Sequence, residues 1–107
     1  MPKYPMTDLI ARRDYALSVA SELKPLVLEI GKPAPFPDTP DRDWYCPWVI
    51  RGLDSPIEHW AGGVDALQAL LMALSGARAD LLGLARRGKL TWFEEEYLGL
   101  ELVGPAA

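Results

Sequence analysis

The sequence predicts a single α+β domain in which three to four short antiparallel strands pack on one long C-terminal helix. Three observations carry this: two adjacent runs of alternating apolar and polar residues, a third such run rich in tryptophan, and a continuous apolar segment bounded by helix start and stop signals. At 107 residues the chain is of one-domain size, with an ordered core expected over about residues 10–100.

Tyr15, Leu17 and Val19 alternate with Asp14, Ala16 and Ser18, the period of a strand with one wet face. Leu26, Leu28 and Ile30 alternate with Val27 and Glu29 in a second run. The intervening Ser21, Glu22, Lys24 and Pro25 suit a turn, so the two runs read as a hairpin. Residues 31–43, GKPAPFPDTPDRD, hold four prolines and no period, and read as a stiff connection along the edge of the domain. Trp44, Cys46, Trp48 and Ile50 then share one face of a third run, opposite Tyr45, Pro47, Val49 and Arg51. Because Pro47 donates no ladder hydrogen bond, this strand is expected at a sheet edge or at a bulge. Gly52 to Gly63 reads as a connecting loop.

The helix is expected from about Ala66 to Arg87. Asp65 with Gln68 three residues on has capping-box spacing and is preferred over a glycine cap at Gly63. Arg86, Arg87 and Lys89 lie near the negative end of the helix dipole, and Gly88 suits a left-handed C-terminal position. On a helical wheel Leu67, Leu70, Leu74, Ala77, Leu81 and Ala85, widened by Leu71 and Leu82, form the face expected to cover the sheet. Ala66, Ala69, Ala73, Gly76 and Gly83 form a stripe of small residues beside it. Each of these glycines costs about 1 kcal/mol relative to alanine in a helix interior. Close packing within the monomer explains such a stripe; so does close approach of a second subunit. Leu90 to Phe93 reads as a short final strand, and the tail from Gly104 as frayed.

A net charge of −4 and a pI near 4.9 oppose the attraction on which nucleic-acid and anionic-membrane binding rest, so neither is an expected partner. The N-terminus lacks the uninterrupted apolar stretch of a secretory signal, and the nearly apolar run from Ala66 to Ala77 is too short to cross a bilayer. A lone Cys46 forms no internal disulfide, which leaves the cytoplasm as the default location.

One cysteine and one histidine do not furnish a structural zinc site, and no cofactor is implied. A Cys46 and His59 nucleophile and base pair is sterically open. Cys46 shares its strand face with Trp44, Trp48 and Ile50, however, and a thiol buried among apolar groups carries little thiolate. His59 reads as a loop histidine beside Glu58. No nucleophile elbow, Walker loop or dinucleotide fingerprint follows any strand, so no catalytic residue is assigned. Trp44, Trp48 and Trp60 bracket the third strand and the approach to the helix. Their buried area favours a core role, with a recognition patch as the alternative. The candidate binding surface is therefore Trp44, Trp48 and Trp60 together with Ala73 and Gly76. The run Glu94 to Glu96 reads as solvated surface.

One pattern runs through most of the chain. It comprises Ile10-Ala11-Arg12-Arg13, Ile30-Gly31-Lys32-Pro33, Trp44-Tyr45-Cys46-Pro47-Trp48-Val49-Ile50-Arg51-Gly52-Leu53, Gly63-Val64-Asp65-Ala66-Leu67-Gln68-Ala69-Leu70 and Lys89-Leu90-Thr91-Trp92. In this it resembles an uncharacterised bacterial family, a domain of unknown function. The resemblance implies an α+β fold and bacterial origin, and brings no catalytic or binding residues with it. Acidity, a wide apolar helix and missing catalytic motifs together favour a non-catalytic protein-interaction domain that self-associates or serves as an accessory or immunity-type partner. The alternative is a small-molecule pocket between the Trp48 strand, the Gly52 to Gly63 loop and the helix N-terminus. An enzyme using Cys46 or His59 is the third expectation.

Overall fold

In a computed structural model residues 4–38, 43–96 and 98–100 are described; the tail from Gly104 lies outside them. The elements in chain order are β1 (Leu9–Val19), β2 (Glu22–Gly31), β3 (Ala34–Pro35), β4 (Trp44–Arg51), β5 (Ile57–Gly63), α1 (Ala66–Ala85) and β6 (Lys89–Thr91). Among the described residues the fold is α+β, with an antiparallel sheet of six strands, more than the expected three to four, packed on one long helix. Across the sheet β5 pairs β4, which pairs both β3 and β2, followed by β1 and β6.

The β1–β2 hairpin forms, and β1 is longer than its alternation suggested because β2 pairs it from Leu9 through Val19. Its turn is Ala20-Ser21 rather than Ser21 to Pro25. Both turn residues have positive φ, 50° and 65°, the signature of a two-residue type I′ turn that matches strand twist. Inward-facing Tyr15, Leu17, Leu26, Leu28 and Ile30 join Cys46, Trp48 and Ile50 in one buried cluster.

Two expectations about the sheet are corrected. β4 lies inside it, buried from Tyr45 to Ile50 on both faces, and not at an edge. On one side its partner changes from β3 at Tyr45 to β2 at Trp48, so Cys46 and Pro47 fall where the ladder is interrupted and a proline is tolerated. The segment read as loop from Gly52 to Gly63 becomes strand at Ile57, where β5 pairs β4 from Ile57↔Ile50 to Gly63↔Trp44. Mostly exposed and ending in two glycines, this edge strand carries no alternation to reveal it.

The start of α1 follows the cap read from the sequence: Asp65 Oδ1 accepts the Gln68 N–H at 2.7 Å, and Gln68 Oε1 accepts the Val64 N–H at 2.7 Å. Its end does not. The last turn tightens through Arg86 N–H to Gly83 O and Arg87 N–H to Leu84 O. Gly88 has no positive φ; it is glycine because a Cβ there would meet the Ser18 carbonyl oxygen of β1.

The face of α1 against the sheet is rotated in part from expectation: Ala77 and Leu81 are buried as expected, and Leu70, Leu74 and Ala85 pack half-buried against the core. Ala69, Ala73, Ala77, Leu81 and Leu84 are its buried residues, whereas Leu67 is 63% exposed and Leu71 and Leu82 are exposed at 40% and 41%. Ala69, Ala73 and Gly76 of the small stripe face inward because the Trp48 indole lies against Gly76, where a Cβ would collide with the ring, whereas Gly83 is exposed. Although α1 has the length and hydropathy of a membrane span, its inward stripe is a layer of this core.

Truncation should reproduce this rotation. Leu84→Ala is expected to cost about 2–5 kcal/mol in chemical denaturation, and Leu67→Ala to stay within about 0.5 kcal/mol. The reverse order would place the leucine face back on the sheet. In the hairpin, Ala20→Asn with Ser21→Gly is expected to stabilise by roughly 1 kcal/mol, because those residues prefer the turn's backbone.

Candidate functional site

Trp48 and His59 are cross-strand neighbours on β4 and β5, and Asp80 of α1 lies above both. One carboxylate oxygen, Asp80 Oδ2, accepts the Trp48 indole N–H at 2.9 Å and lies 2.7 Å from His59 Nδ1. The Trp48 and His59 rings meet edge to face at 5.6 Å. This cluster ties α1 to β4 and β5. His59, read from the sequence as a loop histidine beside Glu58, thus lies on β5 with its ring against Asp80.

The residues singled out from the sequence separate into two layers. Trp48 and Ala73 are buried, Gly76 seats Trp48, and Trp44 is half-buried against the same cluster. Ala73 and Gly76 thus face the sheet. Trp60, opposite Pro47, lies on the other face of the sheet. There Tyr4 packs against Phe36, Tyr45 and Trp60 at ring separations of 4.8, 5.0 and 4.7 Å, and its hydroxyl donates to Asp38. The N-terminal segment thereby covers the second face of β4.

Further surface features had no sequence signal. A groove of about 560 Å³ runs beside β1 and β6, walled by Tyr15, Trp92 and Phe93 and rimmed by Arg12, Asp14 and Glu94. Arg13 stands 3.9 Å over the Trp92 ring and donates to the carbonyls of Leu98 and Gly99. Tyr15 OH also donates to Leu98 O at 2.7 Å, so residues 98–100 are held across β1. Gly99, at φ 71°, has no room for a Cβ beside Trp92. Beyond β6 the chain reverses at Phe93 and Glu94, closed by Trp92 N–H to Glu95 O and Glu95 N–H to Trp92 O. Both residues have positive φ, 52° and 66°, where a residue with a side chain is destabilised by about 1–2 kcal/mol. Phe93 is nevertheless 81% exposed. A turn lacking glycine and asparagine gave the sequence no signature to read.

A smaller hollow of about 310 Å³ lies between Lys24, Ser55 and Arg87. Neither concavity lies at the N-terminus of α1, where the small-molecule pocket was expected. Among the described residues no three of His, Cys, Asp and Glu converge as metal ligands.

Cys46 is wholly buried, and its thiol donates to Gly31 O at 3.3 Å. Burial pushes its pKa up from 9.0 to about 11, so the thiol stays protonated at neutral pH. In the unfolded chain the same thiol ionises near its ordinary value. Its contribution to stability is therefore complete below pH 9.0 and is lost as the pH rises toward about 11. Over that window wild type should lose roughly 2 kcal/mol relative to Cys46→Ala. Parallel alkaline stability profiles for the two proteins would show that the thiol is not desolvated.

The family model of a domain of unknown function, DUF6968, matches residues 11–102. No curated protein and no solved structure matches the chain. The matched span takes in every strand from within β1 onward and the whole of α1, leaving out the Tyr4 segment that covers β4. The chain belongs to the DUF6968 family.

Proposed function

We propose that this domain is a non-catalytic protein-interaction module of the bacterial cytoplasm, and that it docks a protein partner through the outer ridge of α1. One observation carries the reading: Leu67, Leu71 and Leu82 are exposed on the side of α1 turned away from the sheet. Leu74 and Arg78, both half-buried, bridge them along the helix at three- and four-residue spacing. Singly exposed leucines are ordinary, but these succeed one another along one helix. Each would contribute about 1–2 kcal/mol if a partner removed it from water. The burial of Cys46 and the engagement of His59 with Asp80 support a role without nucleophilic chemistry.

The small-molecule alternative draws on the groove beside Trp92, whose lining combines aromatic rings with Arg12 and Arg13. Ligand-induced thermal stabilisation that is indifferent to changes on α1 would favour it.

The test is the variant Leu67→Gln, Leu71→Gln, Leu82→Gln, which keeps good helix formers at exposed positions and should alter stability by less than about 1 kcal/mol. Cross-linking in the source cells is expected to join a defined partner to wild type and not to this variant. Equal cross-linking of both proteins would remove the ridge from the interface.

A further inference from the structure

The outer edge of β5 has none of the devices that keep a sheet edge from pairing. Ile57–Gly63 runs in unbroken register with β4 and carries no proline, lysine or bulge. Among the described residues it pairs β4 alone. Natural edges are usually blunted by charge, proline or a bulge, as Arg12, Arg13 and Asp14 do along the first half of β1. On β5 the residues Glu58, His59, Trp60 and Gly62 are exposed, Trp60 at 41%. The strand also divides at that tryptophan: Ile57, Glu58 and His59 before it are large, and Ala61, Gly62 and Gly63 after it are small.

We propose that β5 pairs antiparallel with β5 of a second copy of this chain about a two-fold axis at Trp60, joining the two sheets into one. In this register His59 lies opposite Ala61, Glu58 opposite Gly62 and Ile57 opposite Gly63, so each large residue meets a small one. Trp60 meets itself, forming an aromatic cross-strand pair of the kind that stabilises antiparallel strands. The interface is isologous, the same strand serving both copies, and it gives the outward main-chain groups a partner.

Size and charge select the second copy as the occupant. A strand fitting this edge needs small residues opposite Ile57, Glu58 and His59 and has room for large ones opposite Ala61, Gly62 and Gly63. β5 read backwards is such a strand. No charged side chain faces a like charge across the pair: Glu58 lies opposite glycine, and His59, opposite alanine, is engaged 2.7 Å from Asp80 of its own α1. Ile57, which faces Gly63 of the second copy, also lines the hollow where Lys24 and Arg87 stand with Asp54. Asp65 follows Gly63 by two residues, so at each end of the junction two cations meet two carboxylates. α1 packs over β4 and β5 on the His59 side of the sheet. Pairing therefore sets the two α1 helices side by side and antiparallel, about two strand spacings or roughly 10 Å apart, the distance at which helices pack.

The surface is separate from the leucine ridge of α1, and the proposal does not rest on that reading. The experiment is light scattering over a concentration series on wild type, Trp60→Lys, Trp60→Glu and an equal mixture of the two variants. Wild type is expected to double in mass. A residue on the axis meets its own copy, so each variant alone sets like charges together and should associate about tenfold or more less tightly. The mixture sets lysine against glutamate and should recover the doubled mass, which unfolded variants could not do. Hydrogen exchange of wild type should show the outward amides of β5 protected at high concentration and released on dilution. A wild type that stays monomeric to its solubility limit overturns the proposal, as does β5 protection that is independent of concentration. So does a dimer that both variants retain, or a pair of folded monomeric variants whose mixture stays monomeric. A dimer dissolved by Leu67→Gln, Leu71→Gln, Leu82→Gln places the interface on α1 and overturns it as well.

Discussion

The indole of Trp48, laid against Gly76 and hydrogen-bonded to Asp80, sets the rotation of α1 on the sheet. A ring of that size above β4 leaves room only for the small side of the helix. Ala69, Ala73 and Ala77 therefore turn inward with Leu81 and Leu84, and the larger Leu67, Leu71 and Leu82 turn outward. The glycine that weakens the helix locally is what lets the tryptophan be buried. The same contact places Asp80 beside His59, tying the helix to both β4 and β5. Core and exposed ridge are two consequences of one fit.

The two sides of the sheet differ for a related reason. β4 is enclosed, with α1 on one face and the Tyr4 and Phe36 rings near Tyr45 on the other. Its continuous apolar character is that of a strand buried on both faces. β1 has the opposite surroundings. β6 is three residues long and ends in a reversal at Phe93-Glu94, so among the described residues no strand pairs the first half of β1 on that side. Charged Arg12, Arg13 and Asp14 occupy that stretch, as expected of an edge that must resist unspecific pairing.

The hairpin strands, the tryptophan-rich strand and the Asp65 cap were legible because each leaves a short-range signature: a period of two, or a carboxylate placed to accept an amide. β5 was not, since an exposed edge strand of sequence IEHWAGG has no buried face to impose alternation. The central place of Pro47 depends on a change of strand partner, which no local pattern records. Helix rotation failed for a different reason. A wheel ranks faces by hydrophobicity, whereas Trp48 selects by size. Trp48, Ala73 and Gly76 were singled out together, and the structure places all three in the packing of α1 on β4. The groove was invisible because Tyr15 and Trp92 come from opposite ends of the chain and meet only through β1–β6 pairing.

Steric selection at Gly76 orients α1, and the most direct measurement compares Gly76→Ala with Gly83→Ala by chemical denaturation. The two glycines lie on one helix, but a Cβ at Gly83 meets open space. Gly83→Ala should therefore gain about 1 kcal/mol from helix propensity alone, while Gly76→Ala should lose about 1–3 kcal/mol to overpacking against Trp48. In a Trp48→Phe background, which removes the atoms in conflict, the loss at position 76 should largely disappear. Equal stabilisation by both substitutions in the wild-type protein would contradict the claim that Trp48 orients the helix.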